Sequence, residues 1–326
     1  MSDSAQPGAE LGRRLRERDL LAAPAALNLI ESSAPGDREQ TRALLREVSP
    51  AALGRESNGH IVGVTGPPGA GKSTLLSALL HAWRAAGKTV AMLAVDPSSR
   101  RSGGSLLGDR ARIEFDASDN GVLIRSTAAG DRLGGLAPAT RAAAQALAAA
   151  FDVVVIETVG VGQAETEVAD VADTVAVVVQ PGSGDVLQFL KSGIMETPDV
   201  LVVTKADLGD IALATRRDLS AALRSLGART TEVVSVCSLP PTQGIEELLA
   251  ALERHRGQVD IGERRARARR NGALLDFAGE HGKRGLRALG GRRAAEKLLA
   301  AQDPLLDEHG LLAALERAAH DRSDEA

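Results

Sequence analysis

The sequence Gly66-Pro67-Pro68-Gly69-Ala70-Gly71-Lys72-Ser73-Thr74 has the G-x-x-x-x-G-K-S/T spacing of a phosphate-binding P-loop. An apolar run before it, residues 61–65, predicts a buried strand, and a leucine-rich stretch after it predicts a helix. Strand, glycine-rich turn and helix form the context that this motif requires. Glycines allow the turn to point backbone N–H groups inward, and the helix N-terminus adds positive partial charge. The motif therefore predicts a nucleoside triphosphate site in which Lys72 reaches the β- and γ-phosphates and Ser73 binds Mg²⁺.

The composition limits the classes of protein to which the chain can belong. Its 326 residues are 44% hydrophobic but only 2% aromatic, which predicts a core of Ala, Leu and Val. The 39 basic and 43 acidic residues give a net charge of −4, so there is no electrostatic reason to expect a nucleic-acid partner. The single cysteine, Cys237, excludes a disulfide framework within the chain and a cysteine-rich metal site.

The sequence contains no recognisable targeting or membrane segment. The N-terminal stretch includes Asp3 and Glu10 and lacks the apolar centre of a signal peptide. No run approaches the roughly 20 apolar residues that span a bilayer. We therefore expect a cytoplasmic protein without a membrane partner.

From Gly59 onward, apolar β-branched runs alternate with helical patterns. Such near-continuous runs are typical of strands that are covered on both faces, and helical crossovers between them favour parallel pairing. The predicted fold is α/β, a P-loop NTPase with a mainly parallel central sheet covered by helices. The predicted strands are 61–65, 90–95, 122–125, 153–156, 175–179, 200–203 and 233–236.

Helical segments flank this region, which divides the chain into three predicted parts. Residues 1–58 form an N-terminal helical segment, residues 59–255 the P-loop domain, and residues 256–326 a C-terminal helical segment. The apolar stripe of the last part is too small for a separate core, so it either packs back on the main domain or pairs with a second copy. A basic run, 264–270, invites a nucleic-acid interpretation, but we expect it to be a solvated helix face.

A base-reading loop is predicted at Thr204-Lys205-Ala206-Asp207, directly after a strand. The Asp207 carboxylate can accept hydrogen bonds from N1–H and the exocyclic amine of guanine, and adenine does not offer that pair. The stem of Lys205 would lie along the plane of the base. GTPases usually have Asn at the first position, so Thr204 is a departure that removes an amide. After the next strand along the chain, GTPases place a Ser-Ala step against the guanine oxygen, and here Ser238 and Leu239 take that place.

Carboxylates predicted at the same sheet edge form a candidate metal site. Glu157 follows a buried strand, and Gly160, three residues on, would let its N–H approach the γ-phosphate. Asp96 follows another strand, and Asp109 lies in a nearby glycine-rich segment. Two or three carboxylates around one Mg²⁺ and a triphosphate are chemically reasonable.

Five motifs together resemble one known family, the MeaB/ArgK GTPases. They are the P-loop, Leu93-Ala-Val-Asp-Pro-Ser-Ser99, Gly103-Gly-Ser-Leu-Leu-Gly-Asp-Arg110, Glu157-Thr-Val-Gly-Val-Gly-Gln163 and Pro181-Gly-Ser-Gly-Asp-Val-Leu-Gln188. The resemblance is strong over roughly residues 55–255, and the flanking helices match only in kind. Its departures are Thr204 for Asn, Ala164 for Ser and Leu239 for Ala.

The resemblance implies a fold of the P-loop GTPase class and a function that spacing alone does not indicate. Members are homodimeric GTPases that dimerise through C-terminal helices and associate with methylmalonyl-CoA mutase or a related cobalamin-dependent acyl-CoA mutase. GTP binding and hydrolysis gate the loading of adenosylcobalamin and protect the mutase. It also implies that the carboxylates matching Asp96, Asp109 and Glu157 gather around Mg²⁺.

Catalysis is expected to rest on positioning and electrostatics, with Lys72 and Mg²⁺ neutralising charge on the γ-phosphoryl group as water attacks. Gln163 is a candidate for orienting that water, although a role in folding the loop is equally compatible. The sequence shows no obvious arginine finger, so we expect slow intrinsic hydrolysis that a partner accelerates.

Three alternatives stay open at this stage. A nickel-inserting GTPase of related architecture needs Cys and His ligands, whereas the six histidines here are scattered. A kinase that phosphorylates a small molecule or a transport component would need an acceptor site that the sequence does not reveal. A binding module without turnover would leave GTP intact in single-turnover incubation.

Overall fold

A computed structural model of the protein describes residues 5–96, 113–128, 138–158, 168–182, 198–228 and 230–324. The chain divides into two compact units. The first, the helical unit, comprises Met1–Asn58, Arg141–Ala150 and Asp260–Ala326, and the second, the sheet unit, comprises Gly59–Thr140 and Phe151–Val259. The division of the chain into three parts, with boundaries after residues 58 and 255, stays a prediction.

The sheet unit is built on one sheet of seven strands in the order β3-β2-β4-β1-β5-β6-β7. Every described strand pair is parallel, which confirms the predicted α/β class. Buried β-branched runs form the strands, as expected for a sheet covered on both faces. The bounds are β1 His60–Thr65, β2 Val90–Asp96, β3 Val122–Ala128, β4 Val153–Thr158, β5 Thr174–Val179, β6 Val200–Val203 and β7 Glu232–Ser235.

The strand order places a topological switch point between β4 and β1. From β1 the chain continues to β2 on one side, and from β4 it continues to β5 on the other. In open parallel sheets, ligands bind beyond the carboxyl ends of the strands at such a point. The P-loop follows β1, and Glu157 is the second-last residue of β4, so both are beside the switch point.

Three helices of the sheet unit follow the loops that come after β1, β6 and β7. They are α5 Lys72–Ala85, α7 Asp210–Ser225 and α8 Ile245–Gln258. Leucines of α5, alternate residues of the strands and the apolar face of α8 form one core cluster. Each fully buried leucine in such a core contributes about 1.5–3 kcal/mol to folding. This packing fixes the position of helix α5, including the N-terminus that follows the P-loop.

An ion pair holds the far end of α5. The Arg84 guanidinium donates to both carboxylate oxygens of Asp119, at 2.7 and 2.8 Å, just before β3. The Arg84 hydrogen bonds, followed by one from the backbone N–H of Gly121, lower the pKa of Asp119. A bidentate geometry of this kind fixes direction as well as distance.

The helical unit contains the remaining α-helices of the described residues. A core cluster formed by Ala273, Phe277, Leu299, Leu315 and neighbouring apolar residues joins its C-terminal helices. Within its N-terminal part, a Cβ at Gly8 would lie 2.0 Å from the carbonyl oxygen of Gln40, so glycine permits the close approach of the first and third helices. The bounds are α1 Gln6–Arg16, α2 Ala23–Glu31, α3 Asp37–Glu47, α4 Pro50–Leu53, α9 Ile261–Ala288, α10 Arg292–Ala300 and α11 Glu308–Asp324, together with most of α6, Pro138–Ala150.

The basic run at the start of α9 is not the fully solvated face that the sequence predicts. Arg265 and Arg269 are buried, with 6% and 2% of their surface exposed. Arg269 donates to both carboxylate oxygens of Glu56, at 2.7 and 3.1 Å, and Arg265 donates to the carbonyl and hydroxyl oxygens of Ser57. The expectation is wrong for these two residues because their guanidinium groups bind Glu56 and Ser57 within the helical unit.

Candidate functional site: a nucleotide-binding edge of the sheet

The P-loop connects β1 to α5 in the geometry that the motif requires. Gly66 has φ +144°, and a Cβ there would lie 2.0 Å from the carbonyl oxygen of Val178. Glycine is therefore needed where the loop passes over β5. Gly69 and Gly71 have φ +79° and +91°, which side chains rarely tolerate. Pro67, Pro68 and Ala70 complete the loop, and Lys72, Ser73 and Thr74 form the first turn of α5.

Lys72 lies over the loop that precedes it. Its ammonium group donates to the carbonyl oxygen of Gly66 at 2.6 Å and to that of Pro67 at 3.3 Å. Only 8% of the residue is exposed, so the charge is held close to the loop. An ammonium group has three protons, and a phosphate oxygen next to the loop would be a stronger, charged acceptor.

Ser73 and Glu157 meet at the switch point. The Ser73 hydroxyl donates to Oε1 of Glu157 at 3.3 Å, and Glu157 is buried, with 6% of its surface exposed. A hydroxyl and a carboxylate are the hard oxygen donors that Mg²⁺ prefers. The donor set therefore fits a divalent metal ion beside the first turn of α5.

The other predicted metal and phosphate residues are described only in part. Asp96 is the last residue of β2, next to β4 in the sheet, where its neighbour Val95 is paired with Thr158. The backbone thus brings Asp96 to the same sheet edge as Glu157. Asp109, Gly160 and Gln163 lie outside the described residues.

The base-reading loop is held at three points. The Thr204 hydroxyl lies 2.7 Å from the carbonyl oxygen of Ala70 in the P-loop and 3.0 Å from that of Val179 at the end of β5. Lys205 adopts a left-handed conformation, φ +54°, and its ammonium group donates to Oε1 of Gln180 at 2.7 Å. The N–H of Ala206 donates to the carbonyl oxygen of Val236, at 3.0 Å.

Asp207 lies in a single 3-10 turn, Ala206–Leu208, and is exposed to solvent. Because the loop around it is anchored on the P-loop, on β5 and on the segment after β7, the carboxylate is presented from a fixed backbone. An exposed carboxylate on a fixed loop can accept two N–H donors from a base edge.

The second predicted base contact, Ser238 and Leu239, follows β7. Cys237 and Gln243 exchange two backbone hydrogen bonds, both 3.0 Å, which close this loop. The Ser238 hydroxyl is buried and has no hydrogen-bond partner within the described ranges. Leu239 is 62% exposed, so its side chain packs little against the core and is available to a bound base.

Sequence reasoning missed several polar residues at this edge. Gln180 directly follows β5 and binds Lys205, and Thr65 and Thr158 end β1 and β4. The two threonine hydroxyls are buried and lack a hydrogen-bond partner in the part of the chain that the structure describes. The signal that could have found all three is the same one that identified Asp96 and Thr204, a polar residue at the end of a buried strand.

Known proteins match this chain over most of its length. A family model described as "Methylmalonyl Co-A mutase-associated GTPase MeaB" matches residues 23–279. A putative GTPase of Pyrococcus abyssi is 42% identical over 255 residues, covering 76% of this chain and 75% of that protein. The GTPase ArgK of Escherichia coli is 39% identical over 252 residues, covering 75% and 74%.

A solved structure matches nearly the whole chain. A crystal structure described as LAO/AO transport system kinase has a TM-score of 0.63 and 28% sequence identity, and the match covers 97% of this chain and 98% of that chain. The expected resemblance and the expected P-loop class are thus confirmed. Membership of a P-loop GTPase family implies GTP hydrolysis and nucleotide binding with a divalent metal ion. This chain is a GTP hydrolase and belongs to the MeaB family of GTPases.

Proposed function

We propose that the protein is a GTP-dependent chaperone of a cobalamin-dependent acyl-CoA mutase, with methylmalonyl-CoA mutase as the expected partner. In this proposal its nucleotide state gates the loading of adenosylcobalamin and protects the mutase. The observation that supports it most strongly is the family match over residues 23–279, because that family is described by its association with methylmalonyl-CoA mutase.

The described residues suggest how hydrolysis is organised. Lys72, which donates to two loop carbonyls, exchanges these partners for β- and γ-phosphate oxygens when nucleotide binds. Ser73 and Glu157 would hold Mg²⁺, with Asp96 as a further ligand and Asp109 in the same role. The metal supplies positive charge that stabilises the triphosphate. The protein forms no covalent bond to the substrate. A water molecule attacks the γ-phosphorus, the bond to the β,γ-bridging oxygen breaks, and GDP and inorganic phosphate leave, while the protein positions the reacting groups.

Guanine selectivity is assigned to the loop that contains Asp207. Its carboxylate would accept from N1–H and the exocyclic amine, while Lys205 lies along the base and the backbone at Ser238 and Leu239 faces the guanine oxygen. Adenine would leave the carboxylate without these donors, so it is discriminated by the loss of two hydrogen bonds. Gly160 and Gln163 complete the proposal at the γ-phosphate, as N–H donor and water-positioning residue.

The partner is tested by capture and then by kinetics. Tagged protein, loaded with GDP or with a non-hydrolysable GTP analogue, is incubated with cell extract, and bound proteins are identified by mass spectrometry. We expect an acyl-CoA mutase whose affinity differs between the two nucleotide states by a coupling of about 1–3 kcal/mol. The second test compares single-turnover GTP hydrolysis with and without the purified mutase. Equal rates would contradict the proposal, because a gating chaperone must respond to its partner.

We also propose that the protein forms a homodimer through residues 256–326. Light scattering coupled to size-exclusion chromatography measures the mass of the full chain directly. The expected result is twice the mass of one chain, 33.8 kDa each. A single-chain mass at all concentrations tested would remove the dimer from the account.

A kinase is the second candidate function, favoured by the description of the matched crystal structure as a transport system kinase. Labelled γ-phosphate distinguishes the two reactions. Hydrolysis releases all of the label as inorganic phosphate, whereas a kinase transfers it to an acceptor in cell extract. We expect release as phosphate in the presence and in the absence of extract.

A further inference from the structure

Thr204 is the residue that departs most clearly from the GTPase pattern, and the structure gives its hydroxyl a specific place. The hydroxyl lies 2.7 Å from the carbonyl oxygen of Ala70 and 3.0 Å from that of Val179. The residue is 2% exposed, so water does not compete for these contacts. Ala70, which is itself fully buried, lies in the P-loop immediately before Gly71. The base-reading loop and the phosphate loop are therefore joined by one side chain.

The contact constrains the orientation of one backbone amide. In a trans peptide the C=O and the following N–H point in opposite directions. Holding the carbonyl of Ala70 toward Thr204 therefore turns the N–H of Gly71 away from Thr204. In a P-loop the inward N–H groups of this glycine-rich segment bind phosphate oxygens.

The remainder of the Thr204 side chain supports the same peptide. A Cβ built at Gly71 would lie 3.8 Å from Cβ, Cγ2 and Oγ1 of Thr204, which is ordinary van der Waals contact. The Thr204 side chain therefore lies beside Gly71 as well as against the carbonyl of Ala70. A rotation of the Ala70–Gly71 peptide would break the hydrogen bond between Thr204 and the carbonyl of Ala70.

We propose that Thr204 is a positioning residue for phosphate binding, in which its hydroxyl orients the Ala70–Gly71 peptide so that the Gly71 N–H is preset for a nucleotide phosphate. The inference rests on the proposed use of this edge as the GTP site and adds a role that base recognition does not require. Threonine has one hydroxyl proton, so it donates to one of its two acceptors at a time. The shorter contact identifies Ala70 as the main acceptor.

The test separates phosphate positioning from base reading. Binding of GTP and of inosine triphosphate, both with Mg²⁺, is measured by calorimetry for the full chain. Inosine lacks the exocyclic amine, so the ratio of the two affinities reports the contact with Asp207. Thr204→Val keeps the shape and removes the hydroxyl, Thr204→Ser keeps the hydroxyl, and Thr215→Val is the matched control, because Thr215 donates to the carbonyl of Ile211 on helix α7 at 2.9 Å.

We expect Thr204→Val to weaken both ligands about five- to tenfold, with their ratio unchanged, as the loss of one buried hydrogen bond predicts. Thr204→Ser should restore binding to within about twofold, and Thr215→Val should have no effect. Thermal unfolding by circular dichroism verifies that each variant is folded. If the valine variant does not fold, Thr204→Ala is measured in its place, because its smaller side chain cannot clash.

Each other outcome overturns the inference. Unchanged affinity without the hydroxyl would show that the Ala70 contact does not position the amide. A changed ratio of GTP to inosine triphosphate would place Thr204 in base reading instead. If the unmodified protein binds neither GTP nor inosine triphosphate, the proposed site itself fails and the inference fails with it, whereas the first two outcomes leave the site intact.

Discussion

The hydroxyl of Ser73 lies 3.3 Å from Oε1 of Glu157, although the two residues are 84 positions apart in the chain. This pairing joins the first turn of α5 to the carboxyl end of β4, on either side of the switch point. The two oxygens belong to the ligand classes that Mg²⁺ selects. Because Glu157 is buried, its carboxylate has lost hydrating water, and a bound cation would compensate for that loss.

The first prediction concerns metal dependence. Glu157→Gln and Ser73→Ala should each raise the Mg²⁺ concentration required for half-maximal GTP hydrolysis by about tenfold, because each removes an oxygen ligand or its charge. Phosphate release is measured over a Mg²⁺ titration. Since both side chains act on one ion, the double variant should be affected by less than the product of the single effects. Independent, fully multiplicative effects would contradict a shared metal ion.

The second prediction concerns base selectivity. Asp207→Asn replaces an acceptor with an amide that can also donate, and xanthine presents a carbonyl where guanine has its amine. We expect the variant to bind GTP at least about a hundredfold more weakly and to gain affinity for xanthosine triphosphate. The amide of asparagine can donate to the carbonyl of xanthine, but it offers only one acceptor atom to the two N–H donors of guanine. Competition of both nucleotides against labelled GDP gives the affinities. Asp210→Asn, at the start of α7, is the control. Parallel loss of both nucleotides would argue against a base-reading role.

The third prediction concerns Lys72. Lys72→Met removes the ammonium group that contacts the Gly66 and Pro67 carbonyls and keeps much of the apolar stem. We expect single-turnover hydrolysis to fall by about 10²- to 10³-fold, the usual effect of losing one charge-stabilising donor. Lys88→Met, at an exposed lysine just beyond α5, should hydrolyse GTP at the unmodified rate. Equal effects of the two substitutions would indicate a general charge effect.

The fourth prediction concerns the pH dependence of stability in the helical unit. Glu308 and Asp276 share the Arg141 guanidinium, at 2.8 and 2.9 Å. Burial raises the pKa of Glu308 from 4.5 to about 7, and the attraction of Arg141 opposes this only in part. The folded chain therefore retains a proton that the unfolded chain releases above about pH 4.5. Its contribution is fully present below pH 4.5 and is lost as the pH rises to about 7.

Urea unfolding followed by circular dichroism measures this effect as a difference between two proteins. The free energy of unfolding of the unmodified chain, minus that of Glu308→Gln, should fall by on the order of 1–2 kcal/mol between pH 5 and pH 7. Glu253→Gln, at an exposed glutamate of α8, should leave the difference flat. A constant difference for Glu308→Gln as well would contradict the raised pKa.

Local patterns in the sequence were sufficient for the fold class and for the principal site residues. The P-loop, Glu157 and the loop around Asp207 each follow a buried β-branched run, and the physical rule that parallel strands end at one edge brings them together. The strand order itself could not be predicted in this way, because the pairing of β1 with β4 and β5 depends on long-range packing that leaves no local periodicity.

Other features escaped sequence reasoning because their partners are backbone atoms. Thr204 reaches the carbonyl of Ala70, which is 134 residues away, and a carbonyl group is present at every position. The burial of Arg265 and Arg269 was missed for a related reason, since a run of arginines has the same composition whether it faces water or binds Glu56 and Ser57. Long-range polar contacts of this type become visible only when the fold is known.

No helix among the described residues is long and apolar enough to cross a membrane. The central measurement is calorimetric titration of the full chain with GTP and with ATP in the presence of Mg²⁺. The account predicts saturable binding of GTP at one site per chain, with at least about a hundredfold preference over ATP, because adenine cannot satisfy the carboxylate of Asp207. Equal affinity for the two nucleotides in folded protein would contradict it.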